Sequence, residues 1–129
     1  MKTFESITGY KPRIYDGRII TFGLTVEEIS YLKVLLNNSN IELYDADIAS
    51  DLVALFATAI IVNSSKLEPD DFNLLENYYK EVGTEAEEKV FWLGSPLPSM
   101  ELQLLFNCFS DFDSMLPAFK NVLSTISRH

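Results

Sequence analysis

The side chains able to do chemistry are few. Cys108 is the only cysteine, and the only histidine is the last residue, His129. A cysteine nucleophile needs a base within hydrogen-bond reach, and a terminal histidine is poorly held for that task. Cys108 sits in Leu104-Leu105-Phe106-Asn107-Cys108-Phe109 and reads as a small buried hydrophobe. Carboxylates occur in close pairs at Asp45 and Asp47, Asp70 and Asp71, and Asp111 and Asp113. Such groups suit hard cations. An Asp ahead of a helical pattern also caps free amides and complements the helix dipole, and that is the reading taken for all three pairs. Glu85, Glu87 and Glu88 read as a solvated loop face. Phe91, Trp92, Tyr78 and Tyr79 could form an aromatic platform, but on a strand and a helix they read as core or rim.

Phosphate-binding motifs are missing. Neither G-x-G-x-x-G nor the Walker sequence occurs. A flavin phosphate would need a Ser/Thr/Gly-rich wrap, and Gly23-Leu24-Thr25-Val26 is too short and too apolar for one. No cofactor and no metal are expected, and no catalytic residue is assigned. What remains is a set of hydrogen-bonding groups at strand ends: Gly23, Thr25, Asn63, Ser64, Ser65 and Ser95. They supply no general base of suitable pKa, so binding is favoured over turnover.

The elements that must position these groups follow from periodicity. Arg18 to Leu24 is a β-branched and aromatic run bounded by glycines, and reads as the first strand. Thr25-Val26-Glu27-Glu28 is a capping box. Val26, Ile29, Leu32 and Leu36 then recur at helical spacing. Ile41–Asp45 is a second strand. Asp45 or Asp47 is expected to cap a second helix whose apolar positions are Ile48, Leu52, Leu55 and Phe56. Ala59-Ile60-Ile61-Val62 is an unbroken apolar run of the kind parallel sheets bury on both faces, and it ends at Asn63. Pro69 opens a third helix, striped by Phe72, Leu75, Tyr79 and Val82, with Gly83 at its C-terminal cap. Lys89–Leu93 is the fourth strand and Leu104–Phe109 the fifth. Asp113 or Ser114 is expected to cap a last helix carrying Leu116, Phe119, Leu123 and Ile126, with Pro117 in its first turn.

Strands alternating with helical patterns predict a three-layer α/β sandwich, with a mainly parallel five-stranded sheet and helices on both faces. Only ten residues separate Leu93 from Leu104, two of them proline. A parallel crossover takes about a dozen or more. Either the fourth helix is short or absent, or the last two strands pair antiparallel. Residues 1–16 carry Phe4, Ile7, Tyr10, Ile14 and Tyr15. They are expected to pack on the sheet or a helix, or to add an edge strand, within one domain spanning 1–129.

Composition narrows the partners. With 47% hydrophobic residues the chain is too apolar to be disordered. Nineteen acidic side chains against ten basic ones give a net charge of −9. Nucleic-acid binding needs a basic face to displace counterions, and the cations here are scattered, so no nucleic-acid partner is expected. The N-terminus lacks an apolar run of signal-peptide length, and no stretch approaches the roughly 20 apolar residues of a membrane span. With a single cysteine, no internal disulfide can form. The expectation is a cytoplasmic protein without a membrane partner.

This order of elements over roughly residues 18–127 resembles the receiver domains of two-component response regulators. Two local echoes carry it: Ala59-Ile60-Ile61-Val62-Asn63, like the strand that ends in the phosphorylated aspartate, and Ser110-Asp111-Phe112-Asp113 leading into the last helix. The resemblance implies an acidic pair after strand one to hold Mg²⁺, an acceptor aspartate after strand three, Thr or Ser after strand four and Lys after strand five. The chain instead has Phe22-Gly23-Leu24, Asn63, Ser95 and Ser110 at those places. Only Ser95 fills its role. The resemblance therefore implies a receiver-like regulatory or interaction domain without phosphotransfer, its partner a second protein or a second copy in a homodimer. The surface expected is the last helix with strands four and five, or the apolar N-terminal segment. The competing expectation is a flavodoxin-like small-molecule binder or enzyme, using the crevice beyond strands one and three.

Overall fold

Hydrogen bonding between β-branched runs builds the centre of the molecule. In the computed structural model, which describes residues 16–126, five strands form one parallel sheet in the order β2-β1-β3-β4-β5. They are β1 (Gly17–Phe22), β2 (Ile41–Asp45), β3 (Ala59–Asn63), β4 (Lys89–Leu93) and β5 (Asn107–Phe109). The helices are α1 (Val26–Leu35), α2 (Asp51–Ala54), α3 (Pro69–Val82), α4 (Met100–Gln103) and α5 (Phe112–Ile126). The N-terminal extension expected to pack on the core lies, but for Asp16, outside the described residues, as does His129.

The sheet separates two apolar layers because successive strand side chains point to opposite faces. Ile19, Ala59, Ile61, Phe91 and Leu93 meet Leu32 of α1 and Met115, Phe119 and Ile126 of α5. Ile20, Ile60, Val62, Val90 and Trp92 meet Leu52 of α2, Leu75 and Tyr79 of α3, and Leu102 of α4. Ile20, Ile60 and Val90 lie side by side in register, so the second layer runs unbroken across the three middle strands. Phe91, Trp92 and Tyr79 are core residues and Tyr78 is half-buried, as their places on a strand and a helix suggested.

Several expectations need correction. The first strand stops at Phe22 rather than Leu24, because Gly23 turns the chain at φ 80°. Val26 is 79% exposed and lies off the buried stripe of α1. The second helix is one turn long. Only Leu52 of its predicted stripe is buried, while Ile48, Leu55 and Phe56 are exposed. Leu55 is extended, returning the chain to the level of the sheet, where the Thr58 amide bonds the Arg18 carbonyl and β3 begins. The second helix is not capped by Asp45 or Asp47. Its flanking residue is Ser50, with no side-chain cap.

The fifth strand begins at Asn107, not Leu104. Residues 100–103 form a helical turn that buries Leu102, with Phe106 just beyond it, and leaves Leu104 exposed. The short fourth helix thus suffices for a parallel crossover: Phe91, Trp92 and Leu93 pair with Asn107, Cys108 and Phe109 in parallel. The last helix starts at Phe112, so neither Asp113 nor Ser114 caps it. Asp111 does, its Oδ1 accepting from the Ser114 amide at 2.8 Å and the Ser114 hydroxyl at 2.6 Å. Pro117 consequently falls in the second turn rather than the first.

Candidate functional site

Strand order decides where a crevice can form. The chain leaves β1 toward β2 on one side and returns to β3 on the other, so the carboxyl ends of β1 and β3 mark the point where open α/β sheets bind ligands. Gly23 lies just beyond β1, and Asn63 ends β3. A Cβ on Gly23 would come within 2.9 Å of Cβ and Cγ of Lys66 and 3.2 Å of Cβ of Asn63. Glycine is required both by its positive φ and by the Lys66 stem lying over it.

Asn63 closes this crevice from within. Its Nδ2 donates to the Gly23 carbonyl at 3.3 Å, bridging β1 and β3. Its Oδ1 accepts from the Ser65 amide at 3.2 Å and the Ser65 hydroxyl at 2.8 Å, capping the 3-10 turn Ser64–Lys66. The local reason is that Asn readily bonds backbone two residues on. Ser64 is fully buried and donates to the Pro96 carbonyl at 2.6 Å, which also accepts from Nε1 of Trp92 at 3.0 Å. That shared carbonyl ties the loop after β4 to the end of β3.

The predicted site residues therefore divide. Gly23, Asn63 and Ser65 are brought together. Ser64 is turned inward. Thr25 serves the capping box, accepting from the Glu28 amide at 3.1 Å while its own amide donates to Glu28 Oε1 at 2.9 Å. Ser95 is exposed and belongs to a different concavity.

That second concavity was missed in the sequence. It has a volume of about 470 Å³ and lies beyond β4 and β5, lined by Gly94, Ser95, Leu97, Gln103, Cys108, Phe109 and Ser110. Gln103 Nε2 donates to the Pro98 carbonyl at 2.8 Å. Burial pushes the Cys108 thiol up from its ordinary pKa, so it stays protonated and a poor nucleophile at neutral pH. A signal for this cavity was present: Gly94-Ser95-Pro96-Leu97-Pro98 and a one-turn helix cannot roof the end of β5 as a full helix would.

The paired carboxylates have other work. Asp45 accepts from the hydroxyl of buried Thr21 at 2.8 Å. Asp70 and Asp71 occupy the first turn of α3, where they complement the helix dipole. Asp51 accepts from the Tyr44 hydroxyl at 2.9 Å. That hydrogen bond, then the Asp51 charge, raises the Tyr44 pKa. Ser114 holds the Asp111 carboxyl below its usual range through its hydroxyl and then its amide. Among the described residues, no group of three or more His, Cys, Asp or Glu side chains is placed to hold a metal ion, and no helix is long and apolar enough to cross a membrane.

The order β2-β1-β3-β4-β5 with helices on both faces is a receiver-like fold. Solved structures share it. The pseudo-receiver domain of the CikA protein superposes with a TM-score of 0.55 at 16% identity, over 85% of this chain and 96% of that one. The N-terminal domain of the nisin resistance regulator NsrR, a lantibiotic response regulator, gives 0.53 at 17% identity, over 87% of this chain and 98% of that one. No protein-family model matches the chain. A search of the curated proteins finds no match either.

Proposed function

We propose that the chain is a receiver-like regulatory or protein-interaction domain that works without phosphoryl transfer and without catalysis. The observation that carries this reading is Asn63. At the end of the central strand, where receiver chemistry needs a carboxylate, stands an amide whose donor and acceptor are both engaged by Gly23 and Ser65. Phe22 and Leu24 flank Gly23 where Mg²⁺ ligands would stand. The crevice offers little to a small molecule either, because the side chains of Asn63, Ser64 and Ser65 are engaged internally.

A protein surface fits better. Met100 and Leu104, four residues apart on and just after the turn of α4, are 78% and 89% exposed, and exposed apolar groups close together mark partner sites. The occupant is a protein partner or a second copy of the chain, in the cytoplasm.

The test has two arms. The full chain is incubated with Mg²⁺ and acetyl phosphate and its intact mass measured. No added phosphoryl group is expected, and stoichiometric incorporation would overturn the reading. Sedimentation equilibrium and pull-down from the host then compare the chain with Leu104→Asp. Self-association or partner capture that the substitution weakens is expected. A strict monomer recovering nothing would sink the interaction role.

A further inference from the structure

The opposite end of the sheet carries a groove that neither the crevice nor the β4–β5 cavity explains. It has a volume of about 320 Å³ and lies where the segments leading into β3 and β4 run side by side. Val53, Leu55, Phe56, Tyr78 and Val82 give it apolar walls, and Glu85, Glu87 and Glu88 line it with acid. Phe56 is 71% exposed, a large ring left in solvent at the groove's edge. Arg18 holds that segment in place, its Nη1 donating to the Phe56 carbonyl at 3.2 Å while its Nε pairs with Glu42 at 2.6 Å.

Phe56 also lines the notch formed by Asp16, Gly17, Arg18 and Glu42. Asp16, the first described residue, therefore stands at the groove's margin. The chemistry of the residues before it is the complement of the groove. Three of the ten cations, Lys2, Lys11 and Arg13, fall within residues 1–15 against a single acid, Glu5. Lys11-Pro12-Arg13-Ile14-Tyr15 interleaves charge with apolar side chains. Proline lowers the entropy lost when such a segment is ordered, and tethering to β1 makes docking intramolecular, at high effective concentration.

We propose that residues 11–15 dock into this groove, with Ile14 and Tyr15 against Phe56 and Val82 and with Lys11 and Arg13 facing Glu85, Glu87 and Glu88. The contact lies at the amino ends of the strands and stands independently of the reading given to Asn63. It covers the exposed Phe56 ring and fixes the direction in which the N-terminus leaves the sheet. A foreign partner seeking the same groove would have to displace this segment.

Zero-length carbodiimide cross-linking of the wild-type full chain tests it, read by peptide mass spectrometry on an equimolar mixture of heavy and light protein. Amide links from Lys11 to Glu85, Glu87 or Glu88 within one isotopic form are expected, and Phe56→Ser should abolish them. The Lys80–Glu76 pair, 3.6 Å apart, is the internal control and should link in both proteins. Three results would each overturn the proposal. One is the control link forming with no Lys11 link. Another is mixed heavy–light Lys11 links as abundant as those within one isotopic form, which would make the occupant a second copy. The last is Lys11 links that persist unchanged in Phe56→Ser.

Discussion

Two concavities share the carboxyl end of the sheet and differ in what fills them. Beyond β1 and β3, the Lys66 stem lies over Gly23 and Asn63 satisfies its own neighbours, so polar groups that could face a ligand face each other. Beyond β4 and β5, a one-turn helix leaves an open cavity where Leu97, Cys108 and Phe109 stand beside Ser95, Gln103 and Ser110. Open α/β sheets bind ligands at the first position; here that crevice is internally bonded, and the more open concavity lies at the second. The Asn63–Gly23 bond is part-buried and gains strength from that, while the two bonds to Ser65 are exposed. A surface left apolar and open is available for association.

The comparison can be broken most severely at Trp92, which binds the loop between the two regions through the Pro96 carbonyl and stacks on Phe106 with centroids 5.7 Å apart. Trp92→Ala should cost about 3–5 kcal/mol by leaving a core cavity, measured as a drop in the urea midpoint. Next comes Gly23→Ala. Its positive φ and the clash with Lys66 should cost about 1–3 kcal/mol, whereas Ser110→Ala, on the open cavity, should change stability by less than about 0.5 kcal/mol. Equal effects at the two positions would erase the distinction. Asn63→Leu should cost about 1–2 kcal/mol through the lost cap and the lost bridge to Gly23. Protection of the Ser65 amide in hydrogen exchange should fall with it.

Two smaller effects sharpen the picture away from the crevice. The Tyr79 hydroxyl is buried without a hydrogen-bond partner among the described residues, and burial drives its pKa far above the ordinary value. Tyr79→Phe should therefore be neutral or stabilising by up to about 1 kcal/mol, seen in thermal melts. Asp111, beside the open cavity, has a lowered pKa because Ser114 bonds its charged form. A lowered carboxyl pKa contributes stability above its unfolded value, and this is lost as pH falls through the folded one. Asp111→Asn should flatten the acid limb of stability below about pH 4, a small effect at an exposed site.

Legibility along the chain followed the strength of local signals. The capping box at Thr25, the Pro69 start and Gly83 end of the third helix, and the apolar run ending at Asn63 are written in contiguous residues, and each stands where the sequence pattern put it. The segment Ile48–Phe56 misled because helical spacing is a necessary mark of a helix but not a sufficient one. Three of its four apolar positions point to solvent. Leu104 misled in the opposite way: an apolar run looks like strand until a turn places Leu102 and Phe106 inward and Leu104 outward.

The sequence by itself determined the layered α/β architecture, because burial on both faces of a strand and on one face of a helix leaves periodic marks that survive without coordinates. It also determined that an amide, not an acid, ends the third strand. Only the tertiary structure decided what that amide does. Gly23, Asn63 and Ser65 meet through the pairing of strands distant in sequence. Whether a polar group is spent internally or left for a partner depends on neighbours that no local pattern records.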